Sequence, residues 1–214
     1  MNKLFRTLIL SSCLLIHYSL LAQNYQKLLT GDTISWVYWY SNNLPEFAVG
    51  DSMVAYPGDV DTIYKVYNYS INNGSTYVYY TGNLIESQKG DKLWFQNVGW
   101  WMPPLPPYDP YVIMDLNLKV GDTFPGRTWI VDSVYFDNFY GRKVIRVNKI
   151  TYFWNEPYKF IEGIGPTISL DLVETGHLSC FYRQGTREYT TDNPYFDNCW
   201  CLITHVPDKK LRKD

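Results

Sequence analysis

Six alternating runs govern what this chain can become: TISWVYWY (33–40), DTIYKVYNY (61–69), STYVYY (75–80), DKLWFQNV (91–98), RTWIVDSVYF (127–136) and RKVIRVNKI (142–150). Each has the length of a strand and is rich in β-branched and aromatic residues, and none sustains the three-to-four residue period of a helix. Gly-Asp pairs at 31–32, 50–51, 58–59, 90–91 and 121–122 punctuate the runs. Glycine admits positive φ and aspartate bonds nearby amides, so each pair suits a corner just before a strand. INNGST (71–76) reads as a tight Asn-Gly hairpin, ESQKGDKL (86–93) as a hairpin with a four-residue loop, and FDNFYGRK (136–143) as a longer one. The expected fold is all-β, an antiparallel meander forming a barrel or a β-sandwich, with any helix confined to NYQKLL (24–29).

The first residues, MNKLFRTLILSSCLLIHYSLLAQ, place Lys3 and Arg6 before an apolar stretch and end on the small residue Ala22, the pattern of a signal peptide over 1–23. Cleavage near Ala22 or Gln23 leaves one β-rich domain, 24–214, without a transmembrane segment, in the periplasm or outside the cell. The stretch removed carries two cations and no acid, which takes the formal charge from −2 to −4. No concentrated basic face argues for nucleic acid; DKKLRKD at the end is a solvated charge run. Of the cysteines that remain, Cys180 is expected to pair with Cys199 or Cys201, because the two cysteines of CWC are too close to bridge each other. Closing a loop of that size stabilises by roughly 3 kcal/mol in the chain-entropy estimate. A zinc site using these cysteines with His177 and His205 has the wrong spacing. The oxygen clusters GDVD (58–61) and DNPYFDN (192–198) lack the regular ligand spacing of a calcium loop. No metal or cofactor is therefore expected.

Two sites are candidates for function. GWWMPPLPPYDPY (99–111) carries five prolines that exclude a central strand, so it reads as an extended loop. Trp100, Trp101, Tyr108 and Tyr111 in this loop are the expected platform for a glycan or a surface protein. The second is Glu162 in YKFIEGIGPTISL (158–170), the best single acid for a paired-carboxylate hydrolase, with Asp109, Asp115, Asp122, Glu156, Asp171 or Glu174 as the partner acid. Strand alternation instead makes Glu162 the last in-register residue before a Gly-x-Gly-Pro corner, bonded to backbone amides. No Gly-x-Ser-x-Gly elbow is present. The balance favours a non-catalytic binding module, with the hydrolase as the alternative.

YVIMDLNLKVGDTF, WIVDSVYF, RKVIRV, YKFIEGIGPTISL and LSCFYRQGTREY, in this order, resemble a group of secreted β-rich proteins of unknown function from gut and oral Gram-negative commensals. In that group the region commonly precedes a type IX secretion sorting domain. This chain differs in having Phe160 where the group often has Trp, in Pro166-Thr167, and in lacking a sorting domain after Cys201, so periplasmic residence stands beside release. The resemblance also implies O-glycosylation at Asp, then Ser or Thr, then an apolar residue. This pattern makes Thr33, Ser52 and Thr62 the candidate acceptors, with mid-strand Ser133 the poorest.

Overall fold

A computed structural model of the chain describes residues 25–41, 48–60, 62–72, 75–98, 109–150, 155–170, 176–191 and 199. These form strands and turns without a helix. The strands are β1 (Ile34–Ser41), β2 (Ala48–Pro57), β3 (Ile63–Asn72), β4 (Ser75–Glu86), β5 (Lys92–Asn97), β6 (Tyr111–Asp115), β7 (Val131–Asp137), β8 (Arg142–Ile150), β9 (Pro157–Ile161), β10 (Gly165–Pro166), β11 (Gly176–Arg183) and β12 (Thr186–Thr190). An eight-stranded antiparallel sheet in the order β12-β11-β1-β2-β3-β4-β5-β6 curls into a half-barrel, and β10-β9-β8-β7 form a second sheet. Strands β1 to β6 run as the expected meander. The β3–β4 hairpin closes at Asn72 opposite Ser75, and β7–β8 at Asp137 opposite Arg142.

Two sequence expectations need correction. Tyr25 to Leu29 are not helical, because the amides of Gln26, Leu28 and Leu29 are taken by the carboxylates of Glu162 and Glu86. Gly50-Asp51 is no corner: it lies inside β2, in register with Trp39 and Tyr38, while the other Gly-Asp pairs stand in turns.

The core lies between the sheets. Ile34, Trp36 and Tyr38 of β1 share its inner face with Met53 and Ala55 of β2, Tyr64 and Val66 of β3, and Leu84 of β4. The second sheet and the connection ahead of it supply stacked Phe124 and Phe160, 4.6 Å between centroids, and Trp129 edge-on to Tyr158 at 5.2 Å. Such ring pairs contribute about 0.5–1.5 kcal/mol beyond the area they bury. Cys180 and Cys199 stand at disulfide distance with Cα atoms 5.8 Å apart, the first of the two expected pairings; Cys201 lies outside the described residues.

The corner after β9 fastens the two sheets together. Its carbonyls at 162, 163 and 164 are enclosed, so each needs a donor. Arg142 Nη1 of β8 donates to Glu162 O at 3.0 Å and Arg183 Nη2 of β11 to Gly163 O at 3.2 Å. Trp36 Nε1 of β1 donates to Ile164 O at 2.7 Å. Gly163 has φ +66°, and a Cβ there would stand 2.5 Å from Arg142 Nη1, so this position combines a left-handed backbone with no space. Trp36→Phe keeps the ring packed but leaves the Ile164 carbonyl without its donor. Urea unfolding should show a loss of about 1–3 kcal/mol with an unchanged m-value.

Candidate functional site

Glu162 is mostly enclosed, and both its oxygens are occupied. Oε1 accepts from Gln26 N at 2.6 Å and Oε2 from Lys143 N at 2.9 Å. Glu86 repeats the device, accepting from Leu28 N at 2.7 Å and Leu29 N at 2.9 Å. Arg183 Nη1 meets the same segment from the other side, donating to Leu28 O at 2.7 Å. Residues 26–29 are thus tied to both sheets, with the Leu28 and Leu29 side chains in the core. Among the other acids considered with Glu162, Asp115 pairs with Lys92 at 3.0 Å and accepts from Asn117 N, and Asp122 accepts from Lys119 N. Asp109 is exposed; Asp171 and Glu174 lie outside the described residues.

Of the expected platform, Trp100, Trp101 and Tyr108 lie outside the described residues. Tyr111 is half-buried in β6 with its ring edge-on to Phe95 at 6.1 Å, so it packs against the core instead of standing out in a loop. Thr33 is exposed just before β1, and Thr62 and Ser133 are half-buried. Ser52 is a correction: at 1% exposure within β2, its hydroxyl is enclosed without a hydrogen-bond partner among the described residues, so the folded chain does not present it to a transferase.

A groove of about 670 Å³ lies elsewhere, between β12 and the second sheet. Its floor is one register row, Tyr135 of β7 opposite Val144 of β8 opposite Ile161 of β9, with Lys159 two residues along on the same face. Residues 187–191 form the facing wall. The rim is the β7–β8 turn, built by Asp137: its Oδ1 accepts from Phe139 N and Tyr140 N, both at 2.9 Å, and its carbonyl from Gly141 N. Tyr140 reaches across, donating its hydroxyl to Thr190 O at 2.6 Å with its ring 5.2 Å from that of Tyr189. Phe139 stands perpendicular to Tyr140 and is 87% exposed. Glu188 on the wall is held from below by Arg142 Nη2 at 2.8 Å and Arg183 Nε at 2.9 Å, the arginines that also hold the corner after β9. Burial lowers the pKa of Arg142 and the Glu188 carboxylate opposes that shift.

The chain matches no family model, curated protein or solved structure.

One further cluster touches the groove. Thr191 Oγ1 lies 3.2 Å from His177 Nε2, and His177 Nδ1 lies 3.6 Å from Glu156 Oε2, the order of a nucleophilic relay. At 6% and 3% exposure, Thr191 and His177 are closed to a substrate, and 3.6 Å is too long for the orienting hydrogen bond. No group of three potential metal ligands occurs among the described residues, nor a helix long and apolar enough to cross a membrane.

The sequence signal for the groove is FDNFYG (136–141), an aspartate-built turn that carries three aromatics. It was legible as a hairpin but not as a rim, because β12, which faces it, is not among the alternating runs.

The clamp on residues 26–29 is testable by pH. Burial raises the Glu86 carboxyl above the ordinary glutamate value, with the two amides, Lys27 and Arg183 pulling it back. The native chain therefore holds this proton more tightly than the unfolded one. The contribution is complete below the unfolded value and is lost as pH rises through the folded one. The unfolding free energy of Glu86→Gln, relative to wild type, should accordingly improve as pH rises above the ordinary glutamate value of about 4. Parallel pH profiles from urea denaturation would show that Glu86 titrates alike in both states.

Proposed function

We propose that this chain is an exported, non-catalytic envelope or extracellular module that binds a glycan in the groove between β12 and the β7–β8 hairpin. The observation that carries the reading is the set of aromatic rings around the groove: Tyr135 on the floor, Tyr189 on the wall, and Phe139 and Tyr140 on the rim. Exposing a ring to water to the extent of Phe139 is unfavourable, yet here Asp137 spends a side-chain oxygen on fixing the turn that presents it. Sugar rings have an apolar C–H face that packs on an aromatic ring and a hydroxyl edge that needs donors and acceptors. Lys159, Arg187 and Asp137 supply that second requirement beside the first. The hydrolase alternative loses its principal acid, since both oxygens of Glu162 accept backbone amides. Export is supported by the leader-like residues 1–23 and by the Cys180–Cys199 bridge, which suits an oxidising compartment.

A glycan array followed by calorimetry on the oxidised protein tests the reading. Phe139→Ala and Tyr135→Ala should each weaken binding about tenfold, the loss of roughly one ring contact, with unchanged melting temperature. Trp100→Ala/Trp101→Ala in the proline-rich loop should bind as wild type. Loss of binding only in the tryptophan variant would move the site to that loop, and no glycan binding in any form would end the reading.

A further inference from the structure

Resting on the glycan reading of this groove, we infer that its ligand is acidic: an oligosaccharide carrying carboxylates, of the uronic-acid class. Four charged side chains line the cavity, Asp137, Lys159, Arg187 and Glu188. Glu188 is spent, because each of its oxygens accepts from a different arginine, Arg142 and Arg183. Asp137 directs Oδ1 to the amides of its own turn. Lys159 and Arg187 are different, as neither has an ion-pair partner among the described residues. Counting the lining residues together with the two arginines bonded to them, four cations face two anions. Glu162 acts through space on both Arg142 and Lys143, but it lies at the corner after β9 and does not line the groove. This local excess of positive charge occurs in a chain whose formal net charge is −2, so it does not follow from the overall composition.

These two cations, unpaired among the described residues, stand on opposite sides of the cavity. Lys159 rises from β9 on the floor and Arg187 from β12 on the wall, and aromatic rings line the same cavity. A planar guanidinium meets a carboxylate through two parallel N–H donors, whereas an ammonium acts as a point charge with freer geometry. An acidic sugar seated on Tyr135 would present a carboxylate to one side and, from the next acidic residue, to the other. A neutral sugar would use the same rings and leave both cations without a counter-charge. An acidic peptide offers carboxylates without a rigid apolar face to lie on the rings.

The test uses hexuronate oligosaccharides of several linkages, each as the free acid and as its methyl ester, titrated into the oxidised full-length protein by calorimetry at low and moderate salt. The ester keeps the ring and removes only the charge. The expected result is that at least one free acid binds about tenfold or more tighter than its ester, the scale of one charge-assisted hydrogen bond. That preference should shrink with salt and collapse in Lys159→Met/Arg187→Met, while Phe139→Ala weakens acid and ester alike. Equal affinity for acid and ester, or binding of neutral glycans only, would overturn the charge inference and leave the glycan reading intact. Failure of every glycan, charged or neutral, would remove both. Tighter binding of an oligoglutamate peptide than of any uronate would also remove both, in favour of a protein ligand. Unchanged melting temperatures in the variants keep a folding defect from imitating any of these results.

Discussion

Three consecutive carbonyls hold this molecule together. At the corner after β9, the oxygens of Glu162, Gly163 and Ile164 point away from any strand partner and each takes a donor from a different strand: Arg142, Arg183 and Trp36. Two of these donors belong to the half-barrel and one to the smaller sheet, so the corner is where the sheets are registered against each other. An unmet carbonyl in such a site costs about as much as a hydrogen bond to a charged group gains, so the three bonds act as a specification more than as a surplus of stability. The side chain of Glu162 completes the knot by fixing Gln26 N and Lys143 N.

The groove depends on the same knot. Arg142 and Arg183 each divide their donors between the corner and Glu188, so the position of β12 relative to the β7–β8 hairpin is set by groups already immobilised in the interior. The same groove is also bridged by the Tyr140 hydroxyl on Thr190 O and by the Tyr140–Tyr189 ring contact. For the binding role proposed above, pre-positioned walls would lower the ordering cost of taking a ligand.

Much of the fold was legible because strand alternation and turn chemistry are local. β3, β4, β5 and β8 lie where Val, Ile and aromatic residues alternate, and Asn-Gly at 73–74 joins strands that pair right up to it. β2 was missed because Gly50-Asp51 imitates a corner, and β11 because GHLSCFYR is buried on both faces and does not alternate. The role of Glu162 was half legible: its bonds to backbone amides follow from its place at the end of a strand. The amides it serves, 136 and 19 residues away in sequence, are set only by the packing of the sheets. The groove was the least legible feature, since its rim and wall are about fifty residues apart in the chain and meet through the Tyr140–Thr190 bond.

The bond from Trp36 to Ile164 is reported by a single proton, the indole Nε1–H, which an assigned ¹⁵N spectrum resolves. If the corner is the knot described, this proton exchanges with deuterated solvent only through global unfolding, as slowly as the amides of β1 and β2. Exchange at the rate of an exposed indole, while the strand amides stay protected, would mean that the corner opens freely and that the sheets are held by something else.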